Sequence, residues 1–287
     1  MSRHLQADQR SRLLQALGVG PIWLRRDAAK TAEPNIDTAP SMPPTVDSGI
    51  EVKAATRPSA VSAWDDVPQA VPALAAAVAP TPVPTFSDAE IAAMDWASLQ
   101  AAVAGCTRCP LCRTRSRTVF GVGDLKARWL FVGEGPGRLE DQSGEPFVGP
   151  AGKLLDNLLQ AIDLKRSENS YIANVVKCRA TDADGHDRAP SAAESAACRP
   201  YLDRQIALLK PTTIVALGKV AALTLLQSDP KTPVAALRGI VHQLGGVPLV
   251  VTYHPAYLLR KPLDKAKSWR DLCLATEAYR NFGKLVV

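Results

Sequence analysis

The chain has 287 residues, enough for one large domain or two small ones, and 46% of them are hydrophobic. No apolar run approaches the roughly 20 residues of a membrane-spanning helix, and the start MSRHLQADQRSR lacks the apolar stretch of a signal peptide. We therefore expect a soluble, cytoplasmic protein with no membrane partner. With 34 Lys and Arg against 28 Asp and Glu, the net charge of +6 suits a polyanionic partner without requiring one.

Proline and charge divide the chain into three parts. Residues 31–88 contain 10 of the 23 prolines and carry a net charge of −5, whereas the rest of the chain carries +11. This Pro- and Ala-rich composition cannot bury enough apolar surface to offset chain entropy, so we predict a disordered linker. Residues 1–30 are predicted to be a tail with a short helix, either frayed or serving as a docking peptide for a protein partner. Residues 89–287 form the predicted globular domain.

Strands and helices alternate in the third part. Ser87, with Glu90 three residues later, is a capping box and predicts the start of a helix. The elements that follow, in chain order, are strand RWLFVG, helix GPAGKLLDNLLQAIDL, strand SYIANVV, helix SAAESAACRPYLDRQIALL, strand TTIVALG, helix KVAALTLL, strand VPLVVTYHP and the amphipathic helix LDKAKSWRDLCLATEAYRNF. This alternation predicts an α/β fold in which helices cover both faces of a parallel sheet.

Three polar residues stand where predicted strands end: Glu134, Asn174 and His254. Ligands of open parallel sheets bind beyond the carboxyl ends of the strands, so we expect these side chains to share one site. Pro255 keeps His254 out of the helical backbone region, which fixes the direction in which the imidazole leaves its strand. Each residue alone is more often structural, and only their convergence indicates a site.

The turn GEGPGR sets Glu134 between two glycines. It is not a dinucleotide-binding fingerprint, because Arg138 occupies the position of the third glycine. GPAGKLL lacks both the first glycine of a P-loop and the Ser or Thr that follows its lysine. Both nucleotide-binding interpretations fail, and the glycines instead indicate a backbone that approaches a ligand closely.

Six cysteines in a cytoplasmic chain favour a metal site or buried thiols over disulfides. A close pair and two distant cysteines suit a tetrathiolate site for zinc or an iron–sulfur cluster: Cys106, Cys109, Cys178 and Cys198. The spacing does not choose between these metals. Cys112 also makes a Cys109/Cys112 pair an alternative to Cys106/Cys109. Cys273, on the final amphipathic helix, is predicted to be a buried thiol.

Five stretches, in order, resemble the iron–sulfur (family 4) bacterial uracil-DNA glycosylases: CTRCPLCRTRSRTVFGVG, FVGEGPGRLEDQSGEPFVGPAGKLLD, YIANVVKCRA, ACRPYLDRQI and VTYHPAYLLR. The resemblance covers roughly residues 99–280. It implies a three-layer α/β/α sandwich around a four-stranded parallel sheet. It also implies a monofunctional enzyme, expected to be monomeric, that flips uracil out of single- or double-stranded DNA and hydrolyses its N-glycosidic bond for base excision repair.

The resemblance also implies a cofactor and roles for individual residues. A [4Fe–4S] cluster would be bound by Cys106, Cys109, Cys178 and Cys198. Phe147 would stack on the extruded uracil, Asn174 would hydrogen-bond its pyrimidine edge, and His254 would face uracil O2. Glu134, with the Gly135 backbone beside it, would border the sugar and the attacked carbon.

The chemistry suggests further candidates. Family 1 glycosylases block thymine with a tyrosine where this chain has Gly137, so Glu140 is our candidate for excluding the 5-methyl group. The candidate DNA contacts are Tyr257, Leu258 and Leu259 as wedges, and Arg260 and Lys153 at phosphates. Each leucine is equally well explained as an ordinary core residue.

The proposed chemistry is electrostatic. We hypothesise that His254 donates a hydrogen bond to the developing uracil anion, while Glu134 orients water and stabilises an oxocarbenium-like sugar. One alternative is a binding module that captures uracil-containing DNA without turnover, which GEGPG argues against because such relatives carry another residue after the glutamate. The other is an accessory module of a DNA polymerase or repair complex, tethered through GPIWLRR and the linker.

Overall fold

The structure, a computed structural model, describes residues 85–285. The predicted tail at residues 1–30 and the linker up to residue 84 lie outside the described residues, and both assignments stay predictions. Of the helices in the described range, none has both the length and the apolar character that crossing a bilayer requires.

A six-stranded sheet lies at the centre of the described residues, with the strand order β1-β3-β2-β4-β6-β5. The strands are β1 (Val122–Gly123), β2 (Trp129–Gly133), β3 (Ser170–Asn174), β4 (Thr213–Leu217), β5 (Val241–Leu244) and β6 (Val247–Thr252). The four inner strands, β3, β2, β4 and β6, are parallel, as the sequence predicts. The two edge strands are antiparallel additions.

The sequence does not predict the edge strands because neither has a buried apolar run. β1 has only two residues, and the residues of β5 are alternately exposed and half-buried. A two-residue turn, Gly245–Gly246, joins β5 to β6, and both glycines have positive φ angles. Such a turn matches the twist of a hairpin, so β5 is positioned by its neighbour rather than by its own hydrophobicity.

Helices separate the strands. They are α1 (Asp88–Ala93), α2 (Trp96–Ala104), α3 (Arg138–Ser143), α4 (Pro150–Ala161), α5 (Ala192–Leu209), α6 (Lys219–Leu226), α7 (Val234–Leu237), α8 (Pro255–Arg260) and α9 (Lys265–Leu285), with short 3-10 helices at Pro110–Arg113 and Pro262–Asp264. The capping box that predicts α1 is confirmed: the Ser87 side chain accepts from the Glu90 N–H, and the Glu90 carboxylate accepts from the Ser87 N–H. The sequence analysis misses α3, α7 and α8, which have six, four and six residues.

Alternating strand residues build two hydrophobic cores, one on each face of the sheet. Leu130 and Val132 of β2 pack with residues of α1, α2, α5 and α6. Trp129 and Phe131 of the same strand pack with residues of α4, α8 and α9. Because successive side chains of a strand point to opposite faces, a continuous apolar strand requires a layer of helices on each side. The predicted three-layer α/β/α sandwich is therefore confirmed.

Candidate active site and cysteine cavity

The carboxyl ends of the parallel strands open into one cavity. Gly133, the last residue of β2, pairs in register with Asn174, the last residue of β3, so Glu134 emerges beside Asn174. His254 follows β6 at the same edge of the sheet. The cavity contains about 1120 Å³ of empty space, partly open to solvent, and Glu134, Asn174, His254 and Phe147 all line it.

Asn174 presents an unused hydrogen-bonding group at the floor of the cavity. The residue is only 2% exposed, and its side-chain Oδ1 is buried without a hydrogen-bond partner. A Cβ at Gly133 would lie 2.4 Å from this oxygen and 2.6 Å from Cζ of Phe147, so the missing side chain leaves room for both groups. A buried acceptor without a partner costs about 1–3 kcal/mol, which a ligand that donates to it would offset.

His254 is held as a neutral imidazole in one tautomer. It is the N-cap of α8, with extended backbone angles (φ −66°, ψ 138°), as Pro255 predicts. Its Nδ1 accepts a hydrogen bond of 3.2 Å from the Ala256 N–H, so the ring proton belongs on Nε2. Burial, with a smaller effect from the Arg260 charge, lowers the pKa of His254 to about 4. Near neutral pH the ring therefore offers an uncharged Nε2–H donor.

Glu134 is half-buried at the first turn after β2. Its backbone is fixed because the Val175 N–H donates to Gly133 O at 2.9 Å and the Val176 N–H donates to Glu134 O at 3.2 Å. Burial raises the pKa of the Glu134 carboxyl group. Within residues 85–285 no basic side chain forms an ion pair with it. Its charge is thus free to act on whatever occupies the cavity.

Phe147 and Glu140 both form part of the cavity wall. The Phe147 ring stacks on the His254 ring with centroids 5.5 Å apart and an interplanar angle of 29°. Glu140, on α3, accepts a hydrogen bond from the Gly149 N–H at 3.4 Å through Oε1. Its Oε2 would be 2.9 Å from a Cβ at Gly137, so the carboxylate lies against that glycine.

The candidate DNA contacts separate into two groups. Arg260 and Tyr257 line the cavity, and the Tyr257 hydroxyl donates to Asp264 at 2.6 Å. Leu259 is 44% exposed and Lys153 is exposed on the first turn of α4. Leu258 is fully buried, because it belongs to the apolar face that packs α8 into the core. The hypothesis that Leu258 is a DNA wedge is therefore wrong.

Part of the cavity wall comes from residues that the sequence analysis misses. Asp187, Arg188 and Ala189 reach the cavity from the loop between β3 and α5. This loop is ordered by two ion pairs, Arg179 with Asp187 at 2.5 Å and Arg188 with Glu194 at 2.7 Å. The loop follows the carboxyl end of a strand, so the rule that selected Asn174 would also have found it.

A second and much smaller cavity is lined by cysteines from distant parts of the chain: Cys106, Cys109, Cys112, Cys178 and Cys198. Burial is the main reason that the pKa values of two of these thiols are raised, to about 11 for Cys178 and about 12 for Cys198. Two donors oppose this effect. Arg115 Nη1 lies 3.1 Å from the Cys178 sulfur, and the Lys177 N–H lies 3.3 Å from that of Cys198.

The sulfurs of this cavity are not gathered around a single point. Among the described cysteines, no three sulfur atoms lie within 4.8 Å of one another. Cys273 is not part of the cavity, and it is exposed on α9 rather than buried as predicted. Its neighbour Leu272 occupies the buried side of that helix, and one residue further along the helix the side chain points to solvent.

Comparison with known proteins agrees with this geometry. Residues 120–275 match the model of the uracil DNA glycosylase superfamily. The chain is 43% identical over 176 residues to the type-4 uracil-DNA glycosylase of Thermotoga maritima, covering 57% of this chain and 88% of the relative. It is 38% identical over 187 residues to that of Pyrobaculum aerophilum (63% and 93%) and 41% identical over 166 residues to that of Archaeoglobus fulgidus (56% and 81%). The chain therefore belongs to the uracil-DNA glycosylase superfamily and, within it, to the type-4 uracil-DNA glycosylases.

Proposed function

We propose that this protein is a monofunctional uracil-DNA glycosylase that releases uracil from DNA and leaves an abasic site. Overall, water adds to C1′ of the deoxyribose, the C1′–N1 bond breaks with its electron pair on uracil, and the uracil anion regains a proton. The observation that carries the proposal is the buried, unpartnered amide oxygen of Asn174 in a cavity walled by Phe147 and His254. An imide N–H, such as that of uracil N3, could donate a hydrogen bond to this unpartnered acceptor.

Recognition requires that the base leaves the duplex. Flipping costs a few kcal/mol, which stacking on the Phe147 face and hydrogen bonding to Asn174 would offset. The Glu140 carboxylate beside Gly137 is our candidate for excluding the 5-methyl group of thymine, because that methyl would have to displace a charged group from its hydrogen bond with Gly149. Among the candidate contacts, Leu259 would fill the vacated space while Arg260 and Lys153 contact phosphates.

Bond cleavage places negative charge on uracil and positive charge on the sugar. The Nε2–H of neutral His254 would donate to uracil O2 as charge develops there, like an oxyanion-hole donor. The unpaired Glu134 carboxylate, beside the Gly135 backbone, would orient water and stabilise the oxocarbenium-like sugar. Burial strengthens both interactions because the surrounding dielectric constant is low.

We propose that the second cavity holds a [4Fe–4S] cluster. A single tetrahedral zinc ion with Zn–S bonds of about 2.3 Å would bring four sulfurs within about 4 Å of one another. No three sulfurs of the described cysteines lie that close together, and a polynuclear cluster with thiolate ligands does not require them to. When bound, the cluster would serve as a structural link between the segment after α2 and the β3–α5 region.

The geometry favours Cys106 over Cys112 as the fourth ligand. Cys106 and Cys109 both pack against the hydrophobic core that contains the buried Cys178 and Cys198. Cys112 lines the same cavity but is not among the described residues that pack against this core. Arg115 and the fully buried Lys177 supply positive charge that would balance a tetrathiolate cluster.

The remaining assignments concern the whole chain. We propose a glycosylase domain at residues 89–287 and a disordered Pro- and Ala-rich linker at 31–88, although Ser87 and Asp88 already belong to the cap and first turn of α1. The N-terminal tail at 1–30, with its short helix, is either a frayed end or a docking peptide for a protein partner. The partner of the domain itself is uracil-containing DNA, single- or double-stranded, and the active form is a monomer.

The test is release of free uracil from labelled single- and double-stranded DNA with substrate in excess. Many equivalents of uracil per enzyme are expected. Asn174→Ala and His254→Ala should each lower excision strongly while duplex binding persists, and the exposed Cys273→Ser variant is the matched control. Release that stops at one equivalent would instead indicate a capture module, and parental rates in both variants would refute the site.

A further inference from the structure

The Phe147 backbone adopts a conformation that a phenylalanine rarely takes. Its φ angle is +57°, in the left-handed region, and its side chain is only 5% exposed. This region disfavours residues with a Cβ, so the surrounding structure must hold Phe147 there. The conformation matters because it places the ring beside His254 in the cavity wall, and the base would stack on this ring.

The first constraint comes from the start of α4. An ideal Cβ at Gly152 would lie only 1.6 Å from the Phe147 carbonyl oxygen, so the loop is packed directly against the helix backbone. Only a glycine permits this approach. Gly152 makes room for the Phe147 carbonyl group but does not donate a hydrogen bond to it, so the direction of that carbonyl group must be fixed by another residue.

That direction is set by Arg166, which reaches back from the loop between α4 and β3. Its Nη1 donates to Pro146 O and its Nη2 donates to Phe147 O, both at 2.8 Å. Asp156, on α4, accepts from Arg166 Nε at 2.9 Å and lies 2.7 Å from Nη2. The Arg166 side chain is 22% exposed and makes these contacts in a single geometry.

We propose that Arg166 is a positioning residue that holds Phe147 in its left-handed conformation and thereby aligns the stacking surface for the flipped base. A planar guanidinium suits this task because its rigid fork binds two successive carbonyl groups and the Asp156 carboxylate at once, whereas the rotatable donors of a lysine ammonium impose no fixed geometry. Asp156 contacts both Nε and Nη2 of Arg166 and so restrains the guanidinium beside the two carbonyl groups. This assignment rests on the proposed function of Phe147 as the surface on which uracil stacks.

The experiment is a double-mutant cycle on single-turnover uracil excision. Arg166→Ala should lower the rate constant at saturating enzyme about 10-fold or more, because a displacement of about 1 Å can cost about 100-fold. Asp156→Asn and Arg166→Lys should lower it less. In a Phe147→Ala background, Arg166→Ala should change the rate less than about 2-fold, since the ring that it positions is gone. Lys165→Ala, which removes only an exposed ion pair with Glu168, is the control.

A readout independent of excision distinguishes this inference from the proposed function. A 4-fluorophenylalanine placed at Phe147 should show a shifted and broadened fluorine resonance in Arg166→Ala and Asp156→Asn, but not in Lys165→Ala. Unchanged resonances, or an equal loss of rate in the presence and absence of the Phe147 ring, would overturn the inference. If the parental protein releases no uracil while the resonance still shifts, the function fails and the positioning role stands.

Discussion

Replacing His254 with glutamine tests whether the imidazole is neutral in the folded protein. Burial holds the pKa of His254 at about 4, compared with 6.5 for an unperturbed histidine. Above pH 6.5 the ring is neutral in both the folded and the unfolded chain and makes no pH-dependent contribution. As the pH falls from 6.5 towards 4, His254 binds a proton in the unfolded chain but stays neutral in the folded chain. The free energy of unfolding therefore decreases.

The magnitude follows from that difference in pKa. Between about pH 7 and about pH 5, proton uptake by the unfolded chain alone should cost the parental protein about 2 kcal/mol, since one pKa unit corresponds to about 1.4 kcal/mol. His254→Gln removes this term and leaves every other titrating group in place. The difference in unfolding free energy between the two proteins should therefore shift by about 2 kcal/mol over this range.

The assay is urea unfolding of both proteins at several pH values, with absorbance near 400 nm recorded to show that any bound cluster stays intact. The reasoning fails if the difference is independent of pH, or if the parental protein gains stability relative to the variant as the pH falls. A pH-independent difference would mean that the folded chain leaves the His254 pKa near 6.5, and the opposite slope would mean that the folded chain favours the cation. In either case burial would not hold the ring neutral at acidic pH.

Three further outcomes are expected. Asn174→Ala should lower kcat/KM for uracil release about 100-fold, because one well-placed hydrogen bond is worth about 2–3 kcal/mol. The Kd for undamaged duplex, measured by fluorescence anisotropy, should stay within about 2-fold, and a parallel loss of duplex binding would contradict the assigned role. Leu258→Ala should lower the unfolding free energy by about 2–5 kcal/mol in denaturant melts, because it leaves a core cavity. Leu259→Ala should leave stability unchanged and slow excision from duplex more than from single strands. Equal stability of the two variants would refute the assignment of Leu258 to the core and Leu259 to the DNA-facing surface. Cys106→Ser should lose the iron and the absorbance near 400 nm, and Cys112→Ser should keep both; the reverse result would assign the ligand to Cys112.

Each inner strand can be recognised from its own residues, so the local pattern of the sequence predicts the central part of the sheet. The run from Trp129 to Val132 is apolar at every position, which happens when both faces of a strand are covered. Parallel strands place their carboxyl ends at one edge, so Glu134, Asn174 and His254 could be expected together without coordinates. The roles of these residues came from a family resemblance, and the resemblance in turn rests on their order along the chain.

Other features depend on contacts between distant segments, which periodicity does not encode. Leu258 and Leu259 are adjacent in VTYHPAYLLR, and only the docking of α8 against the core decides which of them faces solvent. Likewise, Cys106 and Cys112 are both spaced three residues from Cys109, and only the tertiary packing places Cys106 against the core that contains Cys178, from the loop after β3, and Cys198, from α5.

The sequence by itself determined the layered fold, the edge of the sheet at which a ligand binds and the polar groups gathered there, because these follow from short-range alternation and strand direction. The tertiary structure alone decided the protonation of His254, the missing partner of Asn174 and the left-handed turn at Phe147. Burial, an unsatisfied acceptor and a strained dihedral angle each arise from how packed segments surround a residue, and no single stretch of sequence specifies that environment.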